Sequence, residues 1–350
     1  MLRGITVTGG YATGYGGALY LDGDSYYYQV AVSVENCIFH HNSARAGGGV
    51  FCGGHVYSTF TDCIFEANQT RVRGSGGGMG CASSFPTIVR CAFIGNLTTG
   101  LSWGGLGDPT IDQCSFSGHS GYGLSCNTGT PEITRCSFFD NGDSGIQTGY
   151  CAPTIEACAF WNNQSTFGAA INFAPEVSAL VTDCIFYRNV AGESGGAISC
   201  DTDGTVTILS STMAYNEAGT GAAGLDCGSA EVTVDRSIIA HGVAGTAVVG
   251  LATLSCCDLF GNAGGDWIGD IAGQYGVDGN ISEDPIFCDP WSDDFTLQSD
   301  SPCAPFSPPD PECDLIGSEP IGCQPPTAVL PPAEAASWGG VKALFRSQTH

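Results

Sequence analysis

The sequence predicts an all-β protein, folded as a single parallel β-helix of about ten rungs with an irregular C-terminal cap. Three observations lead to this fold class. A nine-residue motif recurs at intervals of 20 to 28 residues along most of the chain, and a period in the twenties is typical of a solenoid. A second, glycine-rich motif recurs with it. Neither motif has the 3.6-residue period of a helix.

The first motif supplies the inward residues of two short strands, and residues 181–189 (VTDCIFYRN) are an example. With the cysteine as position zero, every copy has apolar residues at −3 and +2. Zero and +2 alternate as in a strand with one buried face, whereas the odd offset of −3 requires a short corner. The ten zero positions are Cys37, Cys63, Cys91, Cys114, Cys136, Cys158, Cys184, Ser211, Ser237 and Cys257.

Position +5 predicts a second corner. It is Asn in eight of the ten copies, from Asn42 to Asn262, with His119 and Gly242 as the exceptions. Asparagine tolerates the left-handed backbone of a tight corner. Stacked on successive rungs, these amides are also expected to hydrogen-bond to one another as a ladder. We therefore interpret the asparagines as structural and His119 as a substitute in their column.

The second motif supplies a third strand. Each repeat contains an aliphatic residue preceded by Gly or Ala, and the residue two places later forms a looser inward column. The repeats between residues 114 and 158 are the shortest, so their trimmed loops are expected to leave that part of the rod more open. The aliphatic column is assigned to Leu19, Val50, Met79, Leu106, Leu124, Ile146, Ile171, Ile198, Leu225 and Val248.

The paired motifs resemble the GGA[ILV] and FxxN repeats of polymorphic outer-membrane proteins, within the pectin-lyase-like superfamily of right-handed β-helix proteins. They stand here as GGAL (16–19), GGGV (47–50), GGAI (195–198), FHHN (39–42), FEAN (65–68), FIGN (93–96), FFDN (138–141), FWNN (160–163) and FYRN (186–189). The resemblance covers roughly residues 1–262 and implies a right-handed helix. It implies no single function, because this fold serves lyases, hydrolases, adhesins and passive surface proteins alike.

The repeats divide the chain into four parts. These are a first partial rung (1–33), the regular β-helix (34–262), the last irregular rungs with a cysteine-containing cap (263–323), and a Pro-rich linker with a C-terminal tail (324–350). The chain opens in mid-rung, whereas a β-helix normally has a cap over its first coil, so we expect the natural protein to begin upstream of Met1. The tail is interpreted either as a sorting tag or as a disordered end.

Charge and cysteine content limit the partners and the compartment. A net charge of −25 with a single lysine argues against nucleic acid, against anionic membranes, and against polyanionic sugars unless calcium bridges the two. Cysteines of the stacked columns point in parallel and are expected to stay reduced. No signal peptide or membrane span is recognisable. At least one disulfide, and hence a secreted or cell-surface location, is expected from the loop-rich cap cysteines Cys288, Cys303, Cys313 and Cys323.

An aromatic file is the candidate ligand site. Position +3 should point outward, and three consecutive rungs hold Phe139, Trp161 and Tyr187 there. Stacked rings on an open face would suit a short oligosaccharide, and the alternative is that they only protect strand edges. The polar residues at +4 beside them are Asp140, Asn162 and Arg188.

The acidic turn at residues 201–204 (DTDG) is a candidate calcium site, with Asp201 and Asp203 as oxygen ligands. The alternative is a plain turn that binds only water. No other cofactor is indicated.

Two functions of different classes remain. The first is a non-catalytic secreted or cell-surface β-helix that acts as a stalk, an adhesin or a glycan-binding module. The second is a diverged polysaccharide lyase or glycoside hydrolase. The nearest matches to polygalacturonase motifs are Asp293-Asp294, in the cap, and GHSG (118–121), in an asparagine corner. No pectate-lyase strand motif occurs, so the sequence favours the first function.

Overall fold

The protein is a parallel β-helix in which each turn contributes a strand to three parallel sheets. The structure is a computed structural model that describes residues 1–23, 30–71, 75–174, 176–200 and 203–324. Eleven strands stack in each of the first two sheets. At the ~4.8 Å spacing of neighbouring strands, the first and last of them lie about 48 Å apart. The predicted fold class is confirmed.

The first sheet carries the apolar residue at −3 of each repeat. Each regular strand is followed by a residue with left-handed backbone at −1, such as Asn36 or Gln113, which turns the chain toward the next sheet. Its strands are Leu2–Arg3, Ser33–Glu35, Thr59–Thr61, Thr87–Val89, Thr110–Asp112, Glu132–Thr134, Thr154–Glu156, Ser178–Thr182, Thr205–Leu209, Glu231–Asp235 and Ala252–Ser255.

The second sheet carries the apolar residue at +2. Phe116, Phe138 and Phe160 are direct neighbours in register, with ring centroids 4.8 and 4.9 Å apart, and all three are fully buried. The buried apolar column predicted at +2 is therefore confirmed. The strands are Thr6–Thr8, Ile38–His40, Ile64–Glu66, Ala92–Ile94, Ser115–Ser117, Ser137–Phe139, Ala159–Trp161, Ile185–Tyr187, Thr212–Ala214, Ile238–Ala240 and Asp258–Phe260.

The third sheet carries the aliphatic column. Gln164–Phe167 and Val190–Ser194 extend it at one end, and Ser43–Ala44 pairs with Gln69–Thr70 beside it. Its main strands are Leu19–Asp22, Val50–Gly53, Met79–Ala82, Leu101–Gly104, Leu124–Gly129, Ile146–Cys151, Ile171–Phe173, Ile198–Cys200, Glu217–Asp226 and Ala244–Val249.

One assignment to this column was wrong. Leu101, not Leu106, stands in register between Met79 and Leu124. Leu106 is 77% exposed, and Trp103 occupies the inward place that Asp108 was expected to fill. The strand begins five residues after Asn96, as the next ones begin five after His119 and Asn141. Three short connections therefore lie side by side.

The asparagine ladder is present, but the corner differs from the expectation. Asn42 donates from Nδ2 to Asn68 Oδ1 over 3.0 Å, and Asn163 donates to Asn189 Oδ1 over 3.0 Å. These asparagines are fully buried. The left-handed backbone belongs to the residue before them, as at Asn162 (φ 53°) and Arg188 (φ 54°). The amide is thus used for the ladder, and its neighbour makes the bend.

Two C-terminal segments cover different parts of the helix. The 3-10 helix Gly269–Gln274 places Ile271 on the main core at the last turn. Residues 279–323, called the strap below, then run back along the outer face of the second sheet. The strap contains the strands Phe287–Asp289, Asp294–Gln298 and Ile321–Cys323 and the 3-10 turn Pro290–Ser292. It buries Ala214 and Ile238 under Phe295, Leu297 and Ile316.

Candidate functional site: a polar groove on the third sheet

A polar column forms the floor of a groove on the outer face of the third sheet. Ser102, Ser125, Gln147 and Asn172 are in register on four successive strands. They alternate with the inward residues Leu101, Leu124, Ile146 and Ile171. Because successive side chains of a strand point to opposite faces, the pattern that buries the aliphatic column aims these polar groups outward.

This floor is recessed, because Ser102 and Ser125 are buried whereas Gln147 and Asn172 are half-buried. A cavity of about 580 Å³ lies over it, with walls from the segments that follow Asn96, His119 and Asn141. A second cavity of about 150 Å³ lies over Phe51, Gly80 and Ser102. Asn127 lines both, so the two cavities are neighbours on this sheet. The side chains of the larger cavity that carry hydroxyl or amide groups are Thr98, Thr99, Ser120, Tyr122, Ser125, Asn127, Gln147 and Thr148.

The groove contrasts in charge with the rest of the protein. The chain carries a net charge of −25, yet Asp143 is the one charged residue among the described residues that line either cavity. Its Oδ1 accepts hydrogen bonds from Ser165 Oγ at 2.9 Å and from the Ser144 backbone N–H at 3.0 Å. The site is therefore rich in neutral donors and acceptors.

Internal hydrogen bonds hold the groove walls in place. The Thr98 N–H donates to Ser120 Oγ over 3.0 Å, which ties two of the short connections together. Gln147 Nε2 donates to the Thr148 carbonyl over 2.9 Å, which leaves its Oε1 available to a ligand. Thr148 Oγ1 accepts from the Ala174 N–H over 3.2 Å. Groups fixed in this way lose little freedom when a ligand binds.

The predicted aromatic file exists, but it is not fully exposed. Phe139 and Trp161 stack at 4.4 Å, and Trp161 and Tyr187 at 5.7 Å. Tyr187 is only 7% exposed, because Phe295 of the strap covers it with ring centroids 4.9 Å apart. Burial, with the nearby Asp293 carboxylate, raises the pKa of Tyr187 to about 12. The expected three-ring platform is therefore corrected to two half-buried rings at the edge of the strap.

The polar row beside the file lines a separate cavity. Asp140, Asn162 and Arg188 border a space of about 500 Å³ at the corner after the second sheet. Arg188 already forms an ion pair with Asp293 and donates to the Pro290 carbonyl over 2.7 Å. The guanidinium thus fastens the strap to the helix.

His119 is a member of the asparagine ladder. The ring Nδ1 of His119 accepts a hydrogen bond from the Asn96 backbone N–H over 3.0 Å. The backbone N–H of His119 donates to Asn141 Oδ1 over 3.2 Å. Nε2 is buried without a hydrogen-bond partner. Burial lowers the pKa of His119 to about 3, so the ring is neutral at physiological pH and serves the fold.

The cap cysteines form two disulfides, one with a partner that the sequence did not suggest. Cys288 pairs with Cys323, and Cys313 pairs with Cys256. Cys303 remains a free, fully buried thiol. It donates to Asp258 Oδ2 over 3.2 Å. Cys256 occupies the corner at −1, where no other repeat has a cysteine. That unusual position is the one feature of the sequence that could have indicated a disulfide.

The column cysteines are free thiols, including Cys114, Cys136 and Cys158. The Cys136 N–H points at Cys158 Sγ over 3.3 Å, and burial raises the pKa of the Cys158 thiol well above its usual value. These thiols therefore behave as small buried apolar groups.

The calcium site stays a prediction. Asp201 lies outside the described residues, and Asp203 is exposed. Across the described ranges, no group of three His, Cys, Asp or Glu side chains is placed to hold a metal ion. Within the same ranges, no helix is long and apolar enough to cross a membrane.

Known proteins place this architecture in a family. A family model described as "Right handed beta helix region" matches residues 2–160 and 80–225. The chain is 24% identical over 258 residues to the metabotropic glutamate receptor-like protein R of Dictyostelium discoideum. That match covers 69% of this chain and 13% of the relative, so the chain spans about an eighth of that protein. No solved structure matches. With its three stacked parallel sheets and a family match over more than half of its length, the chain belongs to the right-handed β-helix family.

Proposed function

We propose that the protein is a non-catalytic β-helix, secreted or at the cell surface, that binds a neutral, extended glycan along the polar groove. The observation that carries the proposal is the 580 Å³ groove lined by hydroxyl and amide groups on the outer side of the third sheet. Sugars present hydroxyl groups at regular intervals, and fixed neutral donors and acceptors are the groups that recognise them.

The charge distribution supports a neutral ligand. A uronic acid polymer would approach a chain of net charge −25 against repulsion. Neither described cavity of the groove is lined by a lysine or arginine that would offset this repulsion. A neutral sugar meets no such cost.

The described lining of the larger cavity has a single carboxylate, which favours binding over hydrolysis. Glycoside hydrolysis normally uses two carboxyl groups that flank the scissile bond. Asp143 is the one carboxylate among the described lining residues of the larger cavity, and it is engaged by Ser144 and Ser165. A lyase or hydrolase on this groove would have to act without the usual pair.

Two further observations support a secreted or surface location. The disulfides Cys256–Cys313 and Cys288–Cys323 are typical of an oxidising compartment. The Dictyostelium discoideum relative is named as a receptor-like protein. Calcium bound by the turn that contains Asp203 stays part of this proposal.

A glycan array probed with the whole chain tests the proposal, with a reducing-end assay on the same glycans. We expect binding to neutral, extended chains and no new reducing ends. Gln147→Ala should weaken binding about tenfold, because it removes groove hydrogen bonds of about 1 kcal/mol each. Gln113→Ala is the matched control, since Gln113 is exposed at the corner between the other two sheets.

Three results would count against the proposal. They are the absence of binding to any neutral glycan, an equal loss of affinity in Gln147→Ala and Gln113→Ala, and the release of reducing ends. The last result would favour the hydrolase alternative.

A further inference from the structure

Four asparagines of the chain carry the Asn-X-Ser/Thr triplet that marks acceptors of N-linked glycans. The triplets are NQT (68–70), NLT (96–98), NQS (163–165) and NIS (280–282). In secreted proteins such a triplet usually lies in a surface loop, because the attached oligosaccharide is bulky and hydrated. Here Asn68, Asn96 and Asn163 are fully buried, and Asn280 is 2% exposed. The four triplets therefore sit where a glycan is not expected.

Three of the acceptors belong to the asparagine ladder. Asn68 Nδ2 donates to the Phe39 carbonyl over 2.8 Å and to Asn96 Oδ1 over 3.1 Å. Asn163 Nδ2 donates to the Phe138 carbonyl over 2.9 Å. Asn96 Nδ2 donates in the same way, over 2.9 Å, to the carbonyl at +2 of the turn before it. The atom that would carry the glycan is thus a buried hydrogen-bond donor in each case.

The fourth acceptor, Asn280, lies where the strap begins. Its Nδ2 donates to the Leu254 carbonyl over 2.9 Å, and its Oδ1 accepts from the Cys257 N–H over 3.0 Å. These bonds fix the start of the strap to the last turn of the β-helix. The amide of Asn280 is therefore also used by the fold.

A glycan on a ladder asparagine is incompatible with the folded turn. In N-linked glycosylation, Nδ2 forms a bond to the anomeric carbon of a lipid-linked sugar, the lipid pyrophosphate leaves, and the amide loses one of its two protons. The turns on either side of a ladder asparagine lie ~4.8 Å away, and protein interiors are close-packed. A sugar ring does not fit between turns at this spacing, and the modified amide has one hydrogen fewer for its buried partners.

Folding does not protect the ladder acceptors while the chain is being made. Asn68 bonds to Asn96, which is 28 residues later, and Asn163 bonds to Asn189, which is 26 residues later. A turn of a solenoid is stabilised by its neighbours, so each acceptor becomes buried only after the next turn has been synthesised. A transferase that acts on the entering chain would therefore meet these triplets while they are still exposed.

We infer that the protein reaches its oxidising compartment by a route that lacks N-linked glycosylation, because a glycan on its ladder asparagines would block folding. This inference rests on the secreted or cell-surface location proposed above and adds the kind of export route to it. The disulfides Cys256–Cys313 and Cys288–Cys323 are typical of an oxidising compartment. Export to a bacterial periplasm, which is oxidising, satisfies both requirements when no glycan transferase acts on the chain.

Expression of the whole chain in two hosts tests the inference. One host exports the chain to a bacterial periplasm without N-glycosylation, and the other is a cultured eukaryotic cell that secretes it into the medium. From the periplasm we expect folded protein with both disulfides and no added mass. In the eukaryotic cell, the wild type should be glycosylated on Asn68, Asn96 or Asn163 and retained as unfolded chain. Intact-mass spectrometry and the amount of folded protein in the medium are the measurements.

Matched variants separate the effect of the glycan from that of the asparagine. Thr70→Val, Thr98→Val, Ser165→Ala and Ser282→Ala together remove the four triplets and keep every asparagine. This triplet-free variant should enter the medium several times more abundantly than the wild type, because cells degrade chains that do not fold. In the same background, Gln113→Asn creates an NCS triplet at an exposed corner. That site should carry a glycan without loss of secretion.

Two further measurements keep the comparison independent of the substitutions. Urea denaturation of the triplet-free variant from the periplasm checks that it folds as the wild type does. Wild-type chain from eukaryotic cells treated with an inhibitor of lipid-linked oligosaccharide synthesis gives the same comparison without any substitution. We expect the inhibitor to increase the amount of folded wild type in the medium.

Three results would overturn the inference. The first is folded wild type in the eukaryotic medium with a glycan on a ladder asparagine, because the fold would then accept it. The second is unmodified wild type that is secreted as well as the triplet-free variant, because the triplets would then be buried before the transferase acts. The third is retention of both chains, with and without the inhibitor, because the glycan would then not be the cause.

These results are distinct from a failure of the proposed function. None of the three affects the groove, since its ligand binding is measured on the glycan array. Periplasmic protein without the two disulfides would remove the support for an oxidising location, and the proposed location and the export route would then fail together.

Discussion

At the scale of the residue, the asparagine ladder is the feature that the sequence predicted best. Eight asparagines at one repeat position indicated stacked amides, and the hydrogen bonds from Asn42 to Asn68 and from Asn163 to Asn189 confirm them. The left-handed corner was placed one residue too late. Both +4 and +5 are polar in many repeats. The sequence alone therefore did not distinguish the residue with left-handed backbone from the residue whose amide forms the ladder hydrogen bonds.

Asn163→Ala tests the ladder. Asn163 Nδ2 donates to the Phe138 carbonyl at 2.9 Å and to Asn189 Oδ1 at 3.0 Å, and its Oδ1 accepts from Asn141 Nδ2 at 2.8 Å. The substitution leaves buried partners unsatisfied at about 1–3 kcal/mol each, so we expect a loss of roughly 3 kcal/mol or more in the free energy of unfolding. Asn162→Ala is the control, because Asn162 is exposed. Urea denaturation measures the free energy of unfolding of both variants. Equal losses of this free energy in the two variants would contradict a ladder.

His119→Asn tests the histidine in the same column. Because burial lowers its folded pKa to about 3, the stability that neutral His119 contributes is present above its unfolded pKa of about 6.5 and is lost as the pH falls toward 3. Between pH 7 and pH 5 the wild type should lose roughly 2 kcal/mol more than the variant. An unchanged pH dependence in His119→Asn would show that His119 is not the buried titrating group.

At the scale of the element, the third sheet shows why one strand was misplaced. The Gly104-Gly105-Leu106 segment has the form of the repeat motif, yet the strand is Leu101–Gly104. Its start is fixed by the length of the connection after Asn96, which the motif does not encode. The same short connections form the walls of the groove. Because the strand was assigned to Leu106, the connection after Asn96 was not recognised as one of these walls.

The sequence did not predict where the strap packs on the β-helix. Its segment was recognised as a cap, but its contacts with Tyr187, Ala214 and Ile238 join residues far apart in the chain. The repeat pattern describes only neighbouring turns. For the same reason the sequence suggested an exposed Tyr187, and Cys256 was not predicted as a disulfide partner.

Asp258→Asn tests the buried carboxyl group beneath the strap. Asp258 is fully buried and accepts from Cys303 Sγ at 3.2 Å and from the Glu283 N–H at 3.1 Å. Burial raises its pKa to about 7. A raised acid contributes stability that is present below its unfolded pKa of about 3.8 and is lost as the pH rises through 7. This direction is opposite to that of His119.

The wild type should therefore lose roughly 3 kcal/mol relative to Asp258→Asn when the pH rises from 5 to 8. Denaturation with the disulfides intact measures this difference. Asp300→Asn, an exposed site on the strap, is the control and should follow the wild type. A variant whose stability changes with pH as the wild type does would contradict the burial of an ionisable Asp258.

At the scale of the whole molecule, the inward columns specify the rod, while the ligand face depends on the outward residues. Phe138 and its stacked neighbours are constrained by burial, and a Phe138→Ala change should cost roughly 3–5 kcal/mol. Ser125 and Gln147 follow no repeat rule. The sequence therefore predicted the fold class and the open short rungs, but not which polar and aromatic side chains meet on the third sheet.

The most direct test of the central claim is carbene footprinting of the whole chain with and without a saturating concentration of a neutral glycan that binds it on the array. Peptides that cover residues 120–128 and 143–149 contain the groove floor and walls, and we expect their labelling to fall when the glycan binds. Residues 132–140, on the first and second sheets, should label equally in both samples. Unchanged labelling of the groove peptides, or protection confined to residues 132–140, would contradict a glycan site on the third sheet.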